Sequence, residues 1–130
     1  MRISMLTAGL LGILLILLSG YVIAGRVKFK IDLGDGDKPA MQQRIRAQAN
    51  FVEYVPMALI LLMLVEYAAI GPRWLTIVMG AALVLGRVLH AQGLIASAGA
   101  TFGRFVGTNL TALVIMTGAI ALLGRGAGAW

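Results

Sequence analysis

A file of polar side chains leads into one of the long apolar stretches of this chain, and these side chains could do chemistry. Residues 44–56 are Arg-Ile-Arg-Ala-Gln-Ala-Asn-Phe-Val-Glu-Tyr-Val-Pro. On an α-helix, Arg46, Asn50 and Glu53 stand at i, i+4 and i+7 and therefore share one face. A guanidinium, an amide and a carboxylate in line could form a functional site. They could equally form a structural ion network, and the residues alone leave both readings open.

The composition is that of a polytopic membrane protein. Of 130 residues, 60% are hydrophobic and only 12% are charged, whereas soluble domains carry about a quarter charged residues. The net charge of +6 lies mostly in one loop, as the positive-inside rule produces, so no nucleic-acid partner is expected. With no cysteine and one histidine, neither a metal site nor a cysteine nucleophile is expected. Any thiol chemistry would need a thiol from the ligand.

Four apolar segments predict an all-α fold, an integral membrane four-helix bundle with up-down topology in a single domain, residues 1–130. The helices are expected at about 4–24, 40–69, 74–95 and 103–123, and the short turns imply antiparallel neighbours. A cleavable signal peptide is the alternative for the first segment, but its strongest positive charge follows the apolar run instead of preceding it. The basic loop at 26–45 predicts a cytoplasmic loop and termini outside. Its glycine-aspartate segment, residues 32–37, fails the spacing of an EF-hand and is interpreted as a solvated turn.

The depth of charged side chains predicts one buried pair. Glu53 lies nine residues beyond Arg44, and Arg87 lies eight residues before Ile95. Both therefore sit about 12–13 Å below the same membrane surface, where either charge alone would be costly. The sequence predicts a structural ion network of Glu53 and Arg87, with His90 one turn away. Glu66 falls near the opposite surface, where a charge needs no special role.

These motifs resemble those of the family of membrane-associated proteins in eicosanoid and glutathione metabolism (MAPEG), in its short bacterial branch. The likeness rests on Arg-Ala-Gln-x-Asn-x-x-Glu-Tyr-x-Pro at 46–56 and on Gly-Arg-x-x-His at 86–90. It extends over the whole chain in helix order. The resemblance, and nothing else in the sequence, implies a homotrimer, and it places the protein in the bacterial inner membrane. It also implies glutathione as a cosubstrate, bound between subunits near the cytoplasmic side.

The resemblance also implies roles for individual residues. The glutathione-binding positions it matches are Arg26, Lys28, Arg46, Gln48, Asn50, Glu53 and Tyr54. Arg104 resembles the arginine that activates the thiol in the family's synthases. Leu94 departs from the pattern, because those synthases carry a tyrosine there, and a hydroxyl partner for the tripeptide is lost.

Two classes of function follow from this reading. The first is a membrane glutathione transferase or glutathione-dependent peroxidase whose second partner is a hydrophobic small molecule or lipid. The second is a non-catalytic lipid-binding or scaffold protein of the same fold. Each cation also has a simpler interpretation, because Arg26 and Lys28 could serve only topology and anionic lipid, and Arg104 could be an interfacial anchor. His90 is interpreted as a packing residue.

Overall fold

The computed structural model describes residues 1–129, and over that range the chain is helical, with no strand. The helices are α1 (Arg2–Phe29), α2 (Pro39–Tyr67), α3 (Arg73–Ala96) and α4 (Phe102–Gly126). Each is long and apolar enough to cross a membrane. The expected all-helical fold with membrane-spanning helices is therefore confirmed for this part of the chain.

Local sequence explains where the helices begin and end. α1 continues to Phe29, beyond the expected end near residue 24, and places basic residues in its last turn, where they suit the negative end of the helix dipole. Lys30 in the left-handed conformation then ends α1. α2 begins with a proline in its first turn, at Pro39, where a missing N–H costs nothing. The hydroxyl of Thr101 accepts a hydrogen bond from the Arg104 N–H at 3.3 Å and so caps the start of α4.

The core of the bundle lies along α2 and α3. α2 contacts each of the other three helices, and α3 contacts α1, α2 and α4. Ala58, Leu62 and Val65 of α2 and Leu83 of α3 are fully buried among these contacts. α1 instead leaves half of its large apolar side chains exposed, as a helix in contact with lipid tails does.

Glycines bring α3 and α4 close together. A Cβ added at Gly107 would lie 2.7 Å from the Cβ of His90 and still closer to the Gly86 carbonyl oxygen. One added at Gly93 would lie 2.7 Å from the backbone nitrogen of Arg104. Only glycine allows this approach, which small residues provide at helix contacts within membranes. The approach fixes the start of α4, including Arg104, against the end of α3.

α1 and α2 are joined at both of their ends by polar contacts. At one end, the Glu66 carboxylate accepts hydrogen bonds from the Ile3 N–H at 2.9 Å, the Ser4 N–H at 2.7 Å and the Ser4 hydroxyl. At the other, Arg44 donates from Nη1 to the Tyr21 carbonyl at 2.7 Å and stacks 3.7 Å above the Tyr21 ring centroid. The two helices therefore lie side by side in opposite directions. The sequence places Glu66 near a membrane surface, where a charge needs no special function, and the structure adds a structural role, because its carboxylate caps the start of α1.

Candidate functional site

Two adjoining cavities open at the end of the bundle where α2 begins and α3 ends. Their volumes are about 310 and 610 Å³, within the range of small-molecule sites. Asn50, His90, Ala98 and Arg104 line both. The smaller cavity adds Gln42, Gln43, Arg46 and Leu94, and the larger adds Gly99, Ala100, Thr101, Phe105, Thr108 and Asn109. Three helices and the α3–α4 connection thus build one polar recess.

α2 contributes a row of polar side chains to the recess. Gln42, Gln43, Arg46 and Asn50 recur at helical spacing on the side of α2 that lines the smaller cavity. Arg46 Nη1 lies 3.7 Å from Glu53 Oε1, and the two side chains are 56% and 50% exposed. An exposed ion pair of this kind contributes little to stability. The Arg46 guanidinium can therefore turn toward a ligand at small cost.

Arg87 lies beneath the recess and has a different partner from the one the sequence predicts. It is 2% exposed and donates from Nη1 to Asn50 Oδ1 at 3.0 Å. No carboxylate within residues 1–129 lies within 4.0 Å of it, so the predicted ion pair with Glu53 does not form in this chain. The reason is rotational, because Asn50 faces α3 whereas Glu53, three residues on, lies on the exposed side of α2 beside Arg46.

His90 is the buried member of the recess. It is 7% exposed, lies three residues beyond Arg87 on α3, and borders both cavities. Residues 1–129 bring together no group of three histidine, cysteine or acidic side chains that could hold a metal ion. The buried Leu94 side chain lines the smaller cavity and supplies an apolar wall there, without the hydroxyl that a tyrosine would offer.

The α3–α4 connection holds Arg104 at the mouth of the recess. Arg104 Nη1 donates to the carbonyl oxygens of Ala98 at 3.0 Å and Gly99 at 2.5 Å. These contacts occupy one of the three guanidinium nitrogens. The other two leave donors for an anionic ligand. The sequence did not predict these contacts with loop carbonyls. It does contain a signal for the start of α4, because Thr101, three residues before Arg104, is a favoured N-cap residue.

The remaining predicted glutathione contacts lie outside both cavities. Arg26 Nη1 donates to the carbonyl oxygens of Asp32 at 3.1 Å and Gly34 at 3.2 Å, so it orders the first loop. Lys28 Nζ lies 5.7 Å from the Phe29 ring centroid. Tyr54 is 44% exposed on α2, and Gln48 is partly buried but lines neither cavity.

A third polar cavity, of about 420 Å³, lies at the other end of the bundle. Arg2, Glu66 and Arg73 are among its lining residues. The Glu66 carboxylate already accepts the hydrogen bonds that cap α1. This cavity therefore has fewer polar groups available to a ligand than the recess beside Arg104.

Comparison with known proteins agrees with the architecture. The family model described as "MAPEG family" matches residues 4–124 of the chain. The chain is also similar to the inner membrane protein YecN of Escherichia coli strain K12. The two are 33% identical over 91 residues, which cover 70% of this chain and 69% of the relative. The same identity and coverage hold for YecN of Escherichia coli O6:H1.

Proposed function

The chain belongs to the MAPEG family, and from this premise we propose that it is a membrane glutathione transferase, or glutathione-dependent peroxidase, that acts on hydrophobic electrophiles. The supporting observation is the lining of the smaller cavity. Arg46 and Asn50 from α2 and Arg104 from α4 border the smaller cavity together, although more than fifty residues separate Asn50 from Arg104 in the sequence. The family resemblance assigns Arg46 and Asn50 to glutathione binding and Arg104 to activation of the thiol.

The side chains in this recess match the chemistry of the tripeptide. Glutathione carries two carboxylates, an ammonium and a thiol, and arginines bind carboxylates through paired N–H donors. A free thiol has a pKa near 8.5, and a guanidinium in a low-dielectric site favours the thiolate. In the proposed reaction the thiolate sulfur, held near Arg104, attacks the electrophilic carbon of the second substrate. The new carbon–sulfur bond replaces the bond to the leaving group, which departs with its electron pair.

We extend the proposal to a homotrimer of protomers whose helices cross the membrane alternately up and down. Glu53 and Tyr54 are about half exposed on a membrane-spanning helix, and a charge facing lipid at depth costs about 2.5–3.5 kcal/mol on insertion scales. A neighbouring copy that covered this face would remove that cost and complete the glutathione site with Glu53, Tyr54 and Gln48. The neighbour's Arg26 and Lys28, at the end of α1, would then approach a ligand carboxylate.

Localisation forms part of the same proposal. The similar protein YecN is an inner membrane protein. By analogy, we place this multi-pass chain in a bacterial inner membrane. The first loop and the α3–α4 connection would face the cytoplasm, with both termini outside, because the basic side chains Arg26, Lys28, Lys30 and Arg104 gather at that end. Glutathione would then meet the recess from the aqueous cytoplasm and the apolar electrophile from the bilayer.

Purified protein in detergent tests the proposal. Isothermal titration with glutathione should show saturable binding, and binding should increase the ultraviolet absorbance of the thiolate. A chlorodinitrobenzene should then be conjugated at a rate that saturates with glutathione. Binding of glutathione without turnover on any electrophile would refute the transferase proposal and favour the scaffold. Binding of lipid alone would refute the role of glutathione as well.

A further inference from the structure

Arg87 is a guanidinium buried within a membrane-spanning helix without an acidic partner. Its one hydrogen bond among residues 1–129 is the one it donates to Asn50 Oδ1 at 3.0 Å, and its buried Nε has no partner there. An arginine buried in such a place costs free energy. Its presence therefore indicates a role that a neutral side chain could not fill. Its neighbourhood therefore indicates its role, and that neighbourhood is the floor of the recess.

Contact with Arg87 determines which way the Asn50 amide points. A guanidinium has five N–H donors and no acceptor, so only the Oδ1 side of the amide can face it. The Nδ2 group then lies at the opposite end of the planar amide. None of the hydrogen bonds within residues 1–129 uses Asn50 Nδ2, and Asn50 borders both cavities. The amide thus turns its donor end away from Arg87.

We propose that Arg87 is a positioning residue that fixes the Asn50 amide, so that Asn50 presents only N–H donors to the recess and recognises a carboxylate of the ligand. This inference rests on the proposed function, and it specifies which part of glutathione lies at this end. Arg46 and Arg104 border the same cavity as Asn50 and offer only donors themselves. These three side chains favour a carboxylate over an ammonium group on their part of the wall, which Gln42, Gln43 and His90 complete. The ammonium group lies instead toward the exposed carboxylate of Glu53.

Loss of Arg87 should free the amide to turn over. Asn50 would then present Oδ1 to the ligand carboxylate for part of the time, and two acceptors would face each other. A hydrogen bond from a neutral donor to a charged group is worth about 1.5–3 kcal/mol, which corresponds to roughly a tenfold to hundredfold change in Kd. Arg87 touches no ligand in this arrangement, so its effect on binding must pass through Asn50.

A double-mutant cycle on glutathione binding measures that dependence. Wild type, Arg87→Met, Asn50→Ala and the double variant are titrated with glutathione by calorimetry in detergent. We expect each single change to raise Kd by roughly tenfold or more and the double variant to bind no more weakly than Asn50→Ala. If the two effects multiply instead, Arg87 does not act through Asn50 and the inference is overturned.

Glutathione diethyl ester supplies a readout that a merely structural role would not change. Esterification removes the negative charges, so wild type should bind the ester at least tenfold more weakly than glutathione. The ratio should fall severalfold in Arg87→Met, because the amide no longer favours the carboxylate, while Arg46 and Arg104 keep the rest of the preference. An unchanged ratio contradicts the proposal. Arg73→Met is the matched control, because it removes the same charge from the first turn of the same helix and should leave both affinities as in wild type.

A second variant keeps the test decisive if Arg87→Met does not fold. Asn50→Asp preserves a partner for Arg87 but has no N–H to donate, so it should bind glutathione more weakly than Asn50→Ala does. Wild-type affinity in Asn50→Asp would overturn the inference. A wild-type protein that does not bind glutathione would refute the proposed function in the first titration, before any variant is measured, and this outcome is distinct from a failed cycle.

Discussion

Removal of the Glu66 side chain should loosen the start of α1, and the structure gives the expected size of the effect. The Glu66 carboxylate accepts from two backbone N–H groups of the first turn of α1 and from the Ser4 hydroxyl. Glu66 occupies the last turn of α2, where a negative charge is unfavourable to its own helix dipole. The Glu66 carboxylate is stabilised instead by the positive N-terminal end of the neighbouring helix α1, whose N–H groups it contacts.

The expected cost of Glu66→Ala follows from the bonds that are lost. Deletion of a helix cap costs about 0.5–2 kcal/mol, and a hydrogen bond to a charged group contributes about 1.5–3 kcal/mol. These two ranges describe the same bonds and overlap at about 2 kcal/mol, and since the freed N–H groups lie near the membrane surface and regain water, we expect a loss of about 2 kcal/mol. Glu66→Gln and Ser4→Ala should each cost about 1 kcal/mol, since each leaves part of the cap in place.

Thermal unfolding in detergent checks these values. A loss of about 2 kcal/mol should lower Tm by roughly 6–12 °C in a chain of this size, and the Ile3 and Ser4 amides should exchange hydrogen faster. Asp32→Ala is the control, because it removes a carboxylate from an exposed loop residue and should not change Tm. If Glu66→Ala and Asp32→Ala melt alike, the carboxylate does not stabilise the start of α1 and the reasoning is refuted.

Three other predictions address packing, chemistry and topology. Gly107→Ala should lower Tm and the yield of folded protein, because the new Cβ would lie 2.7 Å from that of His90, whereas Gly9→Ala, which meets nothing within 4 Å, should not. Arg46→Ala should mainly raise KM for glutathione, while Arg104→Ala should lower kcat and move the pH–rate profile to higher pH because the thiol pKa rises. Lysine at Arg104 should restore part of the rate, and unchanged kcat and pH dependence in Arg104→Ala would leave it an interfacial anchor. Reporter fusions should place the loop after α1 in the cytoplasm, and an external loop would reverse the proposed orientation.

The helices could be predicted from sequence because hydropathy, length and local breakers determine them. Lys38-Pro39 and Gly71-Pro72-Arg73 indicate the starts of α2 and α3, and the structure begins both helices there. The cap on α1 could not be predicted in the same way. Ser4 and Glu66 are 62 residues apart, and no local pattern at either residue indicates that the two ends meet.

The recess was predictable in part. Arg46, Asn50 and Arg104 were named from their types and motif positions, and all three border the smaller cavity. The contribution of Gln42 and Gln43 was missed, because glutamines at the start of a helix are ordinarily solvated residues. The carbonyls of Ala98 and Gly99 were missed for a different reason, since backbone acceptors carry no sequence signal.

The error on Arg87 shows the limit of an argument from depth. Counting residues at 1.5 Å each fixes height along the helix axis but not rotation about it. Asn50 and Glu53 differ by less than one turn in height, yet one faces Arg87 and the other lies half exposed beside Arg46. Because Glu53 does not pair with the buried Arg87, its half-exposed carboxylate stays accessible to a ligand or a neighbouring copy. The same rotation leaves Arg87 bonded to an amide, and it thereby changes the expected role of Arg87 from neutralising a charge to orienting a donor.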